Sequence, residues 1–164
     1  MDIGCGTGTQ CSDLASDVKQ VTGIDISDKL LTIAEQRITA CKLENVKFIC
    51  ISLFDEDFQS ESFDMVMAFY VLHFIEDINA VFSHIHDLLN PGGLFVFEVA
   101  CLGVKNKTTG KFLRFIWHLG FIPKINLLTT EQLEPALDQA GFNLVEKLMF
   151  SQSNAEYTFF AKKS

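Results

Sequence analysis

The chain has 164 residues, which suits one domain, and 48% of them are apolar, so a sizeable core can be buried. Its formal net charge of -8 argues against a nucleic-acid backbone as the main partner, because phosphate contacts need clustered Lys and Arg. The one candidate for a basic patch, Lys105, Lys107, Lys111 and Arg114, reads rather as a solvated loop. Cysteines at 5, 11, 41, 50 and 101 are odd in number and form no CxxC pair, so reduced thiols in a cytoplasmic protein are expected. Asp2 and the glycines break any apolar leader at the start. The most apolar window, Phe112 to Leu128, holds Arg114, His118, Pro123 and Lys124 and is too short and too charged to span a bilayer.

In chain order, Asp2-Ile3-Gly4-Cys5-Gly6-Thr7-Gly8 is a glycine loop, and Thr9 to Val18 after it reads as a helix. Val21 to Asp25 is a short β-branched run that ends in an acid. Ser27 then caps a helical stretch with Leu30, Leu31, Ala34 and Ile38 on one face. Val46 to Ile51 is the next strand, and its unbroken apolar run from Phe48 predicts burial on both faces. Phe63 to Phe69 is another strand. A helix from Ile78 to Leu89 follows, with Val81, Ile85, Leu88 and Leu89 inward. Asn90-Pro91-Gly92-Gly93 stops it and turns the chain into a strand from Leu94 to Val99. Thr129 and Gln132 have capping-box spacing, Pro135 lies inside the helix they open, and Gly141 closes it. Leu144 to Phe150 and Tyr157 to Ala161 are strand-like. The gap between them is too short for a helical crossover, so they are antiparallel. Strands alternating with helices predict an α/β fold with a parallel sheet.

Two features carry chemistry. Glycines at alternate positions let the backbone approach a ligand closely. The third comes at Gly8, one residue earlier than the G-x-G-x-x-G of dinucleotide-binding loops requires. The acid two residues before the first glycine suits a ligand with an ammonium group better than a pyrophosphate. Asp25, seventeen positions beyond Gly8, is placed to accept both hydroxyls of a ribose, although it could also cap the following helix.

Together, Asp2-Ile-Gly-Cys-Gly-Thr-Gly, Gly23-Ile-Asp-Ile-Ser27, Ser62-Phe-Asp-Met-Val-Met-Ala68, Val71-Leu-His73 and Leu89-Asn-Pro-Gly-Gly-Leu94 resemble the class I S-adenosylmethionine-dependent methyltransferases. The likeness is strongest to the small-molecule type related to ubiquinone and menaquinone methyltransferases. It implies a Rossmann-like doubly wound sheet of about seven strands, order 3-2-1-4-5-7-6, in one domain with an antiparallel C-terminal hairpin. It implies S-adenosylmethionine as cofactor and a small-molecule acceptor, with no nucleic acid and no transmembrane segment. Asp2 and the loop Gly4-Cys5-Gly6-Thr7-Gly8 would hold the methionine part, Asp25 the ribose, and Ile26 would pack on the adenine. Ser52 stands where many relatives have an acid for the adenine amino group, with Leu53 and Phe54 as the apolar wall. Ala68 to Tyr70 would line the floor near the sulfonium.

Positioning supplies much of the rate in such a transfer, and a general base helps where the nucleophile is a hydroxyl or an acidic carbon. His73 and Tyr70, just past the fourth strand, are the candidates. The alternative is that His73 starts a helix and Tyr70 packs. His84 and His86 lie two apart on a helix and point in different directions, so no metal site is expected. Residues 101–128 carry many aromatic and aliphatic side chains and form either a lid over an apolar or aromatic acceptor or ordinary core. Only Met1 precedes Asp2 in the first strand, so a shortened version of a longer protein is expected. Rival readings are a non-catalytic domain that binds S-adenosylmethionine or S-adenosylhomocysteine, an NAD-dependent oxidoreductase, and a protein or nucleic-acid methyltransferase.

Overall fold

The computed structural model describes residues 1–55, 58–101, 125–151 and 155–164. The elements in order are β1 (Asp2–Ile3), α1 (Thr9–Leu14), β2 (Val21–Asp25), α2 (Asp28–Ala40), β3 (Val46–Cys50) and β4 (Phe63–Phe69). A 3-10 turn (Leu72–Phe74), α3 (Ile78–Leu88), β5 (Leu89–Ala100), α4 (Thr130–Gln139), β6 (Phe142–Ser151) and β7 (Glu156–Lys163) complete them. The strands form one seven-stranded sheet, order β3-β2-β1-β4-β5-β7-β6, the order that the family resemblance implies. β1 to β5 run parallel. β7 pairs antiparallel with β5, and β6 with β7.

Alternation along the strands sorts side chains to two faces. Ile24, Val66, Ala68, Phe95, Phe97 and Phe159 join the buried faces of α3 and α4 in the larger core. Cys11 and Ala15 with Leu31, Val21 and Val46 form a smaller one under α1 and α2. Phe97 stacks on Phe159 with ring centroids 4.7 Å apart and on Phe95 at 4.7 Å. Each buried side chain of this size contributes about 1.5–3 kcal/mol. This packing fixes the carboxyl end of β5, where it borders the site.

Several local expectations are corrected. α1 ends at Leu14 rather than Val18, because the Ser16-Asp17 stretch turns instead of extending the helix, with Asp17 N–H donating to the Leu14 carbonyl. β3 is not buried on both faces. It is an edge strand, with Lys47 and Cys50 exposed and Phe48 and Ile49 only partly covered. Leu89 opens β5 rather than closing α3. Asn90 to Gly93 are absorbed as an irregularity in that strand, where the register jumps from Phe63↔Leu89 to Met65↔Leu94. Thr129 is the N-cap of α4, but its side chain makes no capping hydrogen bond.

The expected lid lies almost wholly outside the described residues, as do the basic stretch and His118. Among the described residues, no helix is long and apolar enough to cross a membrane. No group of three or more metal-ligating side chains occurs among them.

Candidate functional site

The carboxyl ends of β1, β2 and β4 open into a cavity of about 470 Å³. Open α/β sheets bind ligands at this edge, where the crossovers splay to opposite faces. Asp25 ends β2 on its rim. Its Oδ2 accepts the Gly6 N–H at 2.9 Å and its Oδ1 accepts the Ser27 N–H at 2.9 Å. Both oxygens are thereby fixed in orientation, and each keeps a lone pair for a ligand hydroxyl. Helix capping falls to Ser27, whose side chain accepts the Leu30 N–H at 3.4 Å. The carboxylate therefore holds the glycine loop and leaves the helix end to its neighbour.

Gly6 takes φ +53°, and a Cβ there would meet nothing within 4 Å. The loop thus presents bare backbone to the open space of the cavity. Gly8 differs: at φ +71°, its Cβ would run into Phe48 Cζ at 2.7 Å and Ala34 Cβ at 2.9 Å. It serves close packing behind the loop and does not line the cavity.

Of the remaining sequence-derived site residues, Gly4, Ile26, Ser52, Leu53, Phe54 and Tyr70 line the cavity. Ile26 is 80% exposed, an unusual position for an isoleucine and one that leaves its side chain free to cover a ligand ring. Ser52 belongs to a tight turn. Its N–H donates to Asp55 Oδ2 at 2.8 Å, and its Oγ accepts the Phe54 N–H at 3.4 Å. The first acid after β3 is therefore Asp55, set three residues beyond the expected position and turned back onto the loop.

Asp2, Cys5, Ala68 and His73 are not among the cavity-lining residues. Asp2 is buried beneath the loop and accepts the Cys11 Sγ–H at 3.2 Å. Burial raises its carboxyl pKa to about 6, with the Cys11 thiol partly offsetting this. The Cys11 thiol is held far above the ordinary thiol range by its contact with the Cys5 thiol, by burial and by the Asp2 charge. Cys5 is buried in the same cluster, and Ala68 faces the larger core. His73 is buried behind the cavity wall, where its Nε2 accepts the Ala100 N–H at 3.2 Å. That leaves the ring proton on Nδ1, which has no partner among the described residues. Burial lowers the pKa of the imidazole. In this arrangement neither nitrogen offers a lone pair to the cavity, and the ring ties the turn after β4 to the end of β5.

Tyr70 sits at φ +56°, a left-handed conformation that costs a tyrosine about 1–2 kcal/mol. The strained backbone turns the phenol into the cavity mouth, nearly half exposed. Burial raises the phenol pKa, and the Glu98 and Glu156 charges and a hydrogen bond to Glu98 raise it further. Phe69, from the expected floor segment, lines the cavity, and sequence reasoning missed Val71, Phe74 and Ile75, which line it too. Their position just beyond a parallel strand was the available signal.

The methyltransferase domain family matches residues 1–97. Demethylmenaquinone methyltransferase of Staphylococcus epidermidis is 28% identical over 155 residues, covering 90% of this chain and 61% of the relative. The chain thus spans about three fifths of the length of that curated relative. Among solved structures, an S-adenosylmethionine dependent methyltransferase from Mesorhizobium loti superposes with a TM-score of 0.79 at 21% identity, covering 99% of this chain and 89% of that one. Magnesium protoporphyrin IX methyltransferase from Synechocystis, solved with bound SAH, gives 0.78 at 24% identity over 99% and 72%. The matched segment runs from the glycine loop through the Asp25 rim to the middle of β5, more than half of the sequence, and by that match the chain belongs to the methyltransferase domain family.

Proposed function

We propose that the chain binds S-adenosylmethionine and transfers its methyl group to a small, largely apolar acceptor. The observation that carries this reading is the Asp25 carboxylate, pinned by Gly6 and Ser27 at the rim of the cavity. The pocket fits the cofactor chemically: Asp25 for the ribose, Ile26, Leu53 and Phe54 for the adenine, and the bare backbone at Gly6 for close approach. When bound, S-adenosylmethionine supplies an electrophilic methyl group with a good leaving group already in place.

The protein's own contribution is to hold the two reactants in line, to exclude water with apolar walls, and to accept a proton where the acceptor loses one. Tyr70, a cavity-lining phenol, is the candidate for the last task. The antiparallel β6-β7 hairpin and the early Gly8 count against the dinucleotide reading, whose usual sheet order is 3-2-1-4-5-6.

The test is a thermal melt with S-adenosylmethionine, S-adenosylhomocysteine, NAD and NADP in parallel. A ligand at 100 times its Kd stabilises by about 2.7 kcal/mol, or about 5–10 °C for a domain of this size. Shifts with the adenosyl compounds alone support the reading. A shift with a nicotinamide and none with S-adenosylhomocysteine overturns it. Binding without transfer to any acceptor would favour a non-catalytic binding domain.

A further inference from the structure

Phe69 of β4, Glu98 of β5 and Thr158 of β7 lie side by side along an apolar groove that adjoins the cavity at Phe69. Phe69 pairs with Glu98 in the β4-β5 register, and Glu98 pairs with Thr158 in the β5-β7 register. The Tyr70 N–H donates to the Glu98 carbonyl at 3.0 Å, which anchors the strained residue beside that strand. Thr158 Oγ1 donates to Glu98 Oε1 at 3.1 Å and so orients the carboxylate. Phe69 lines both the cavity and an apolar groove of about 410 Å³ across the sheet, and Glu98 lines that groove. Glu98 is thus a half-buried carboxylate on the border between the donor cavity and an apolar recess, with a phenol on the cavity side.

We infer that Glu98, oriented by Thr158, is the positioning residue that takes up the proton passed through Tyr70, and that the methyl acceptor is a neutral hydroxyl compound with an apolar body. The inference rests on the methyl-transfer reading above. The acceptor oxygen bonds to the methyl carbon while the carbon–sulfur bond breaks with its electron pair on sulfur. The hydroxyl proton passes to the Tyr70 oxygen as the Tyr70 proton passes to Glu98, so phenol and carboxylic acid both end neutral. An already anionic acceptor is disfavoured here, because Glu98 and Glu156 both act on Tyr70 and Asp13 lines the same groove as Glu98.

The experiment uses the full chain in a Tyr157→Phe background, which leaves Tyr70 as its single tyrosine. Tyrosinate absorbance is titrated in the parent and in Glu98→Gln, calorimetry measures S-adenosylhomocysteine affinity, and turnover is followed with a panel of phenols and catechols. The expected result has three parts. Tyr70 ionises at lower pH in Glu98→Gln than in the parent, affinity stays within about twofold, and kcat falls about 10²- to 10⁴-fold with KM for S-adenosylmethionine unchanged. Thr158→Val, a milder change that leaves the carboxylate in place, shows a smaller loss in the same direction. Tyr70→Phe combined with Glu98→Gln is no slower than the worse single variant, because the two act as a unit. An unmoved tyrosine titration in Glu98→Gln overturns the inference, and so does a moved titration with parent-like turnover. A parent that shows the coupled titration but binds no S-adenosylhomocysteine refutes the methyl-transfer reading instead.

Discussion

Replacing Asp25 with Asn tests the site at its most constrained point. The carboxylate accepts two backbone N–H groups, from Gly6 and Ser27, each at 2.9 Å. Asparagine keeps one acceptor oxygen and puts an NH2 donor where the other stood, so one of these N–H groups then faces a donor. A hydrogen bond to a charged partner contributes about 1.5–3 kcal/mol, so the variant loses about that much stability. On the proposed function, the same change also removes one charged acceptor from the cofactor ribose, a further loss of about 1.5–3 kcal/mol in binding. At about 1.4 kcal/mol per tenfold, S-adenosylhomocysteine affinity falls by about 10- to 100-fold. Calorimetric titration measures the affinity and urea unfolding the stability. Asp28→Asn, exposed in the first turn of α2, is the charge-matched control and leaves both unchanged. An Asp25→Asn variant that binds within twofold of the parent and unfolds at the same urea concentration refutes the assignment of Asp25 as anchor of both loop and ligand.

Other consequences concern Asp2 and Tyr70. Burial raises the Asp2 pKa from 3.8 to about 6, so the folded state holds this proton more tightly than the unfolded state does. Stability therefore falls as pH rises from about 4 to about 6, by about 3 kcal/mol at 1.36 kcal/mol per pH unit, and stays lower above that window. Asp2→Asn removes this slope and is the more stable protein near neutral pH; identical urea midpoints for parent and variant across the window contradict it. Tyr70→Gly relieves the left-handed strain and raises stability by about 0.5–1 kcal/mol in urea unfolding, while methyl transfer is lost. A less stable Tyr70→Gly protein would show that the phenol's packing outweighs the backbone strain.

Much of the architecture is local in origin and so was legible. The run Val21 to Asp25 is β-branched and apolar up to its terminal acid, and it forms β2 with those bounds. Phe63 to Phe69 likewise forms β4 as read. Ser27 before an apolar-periodic stretch caps α2, and the short link after Phe150 forces an antiparallel hairpin. The glycine loop and Asp25 were legible too, because a tight turn requires glycine and a strand end presents its side chain to the ligand edge.

What the sequence by itself determined, then, was most element types, chain direction and the glycine loop and carboxylate that meet at the cavity rim. The tertiary structure decided which side chains converge there. Asp2 was expected at the ligand and is buried with Cys11, because the pleat at β1 directs it under the loop. His73 was expected at the cavity and is turned behind its wall, onto the N–H of Ala100. β3 read as fully buried but lies at the sheet edge, where no neighbour covers its outer side. Glu98 drew no notice as one acid near the end of a strand. It gained a partner only when β5 and β7 paired and brought Thr158, sixty positions away, to its carboxylate. Periodicity and caps are written within a few residues of each other, whereas strand order and pairing register are settled by contacts across the whole chain. The second kind of information places a carboxylate beside a phenol.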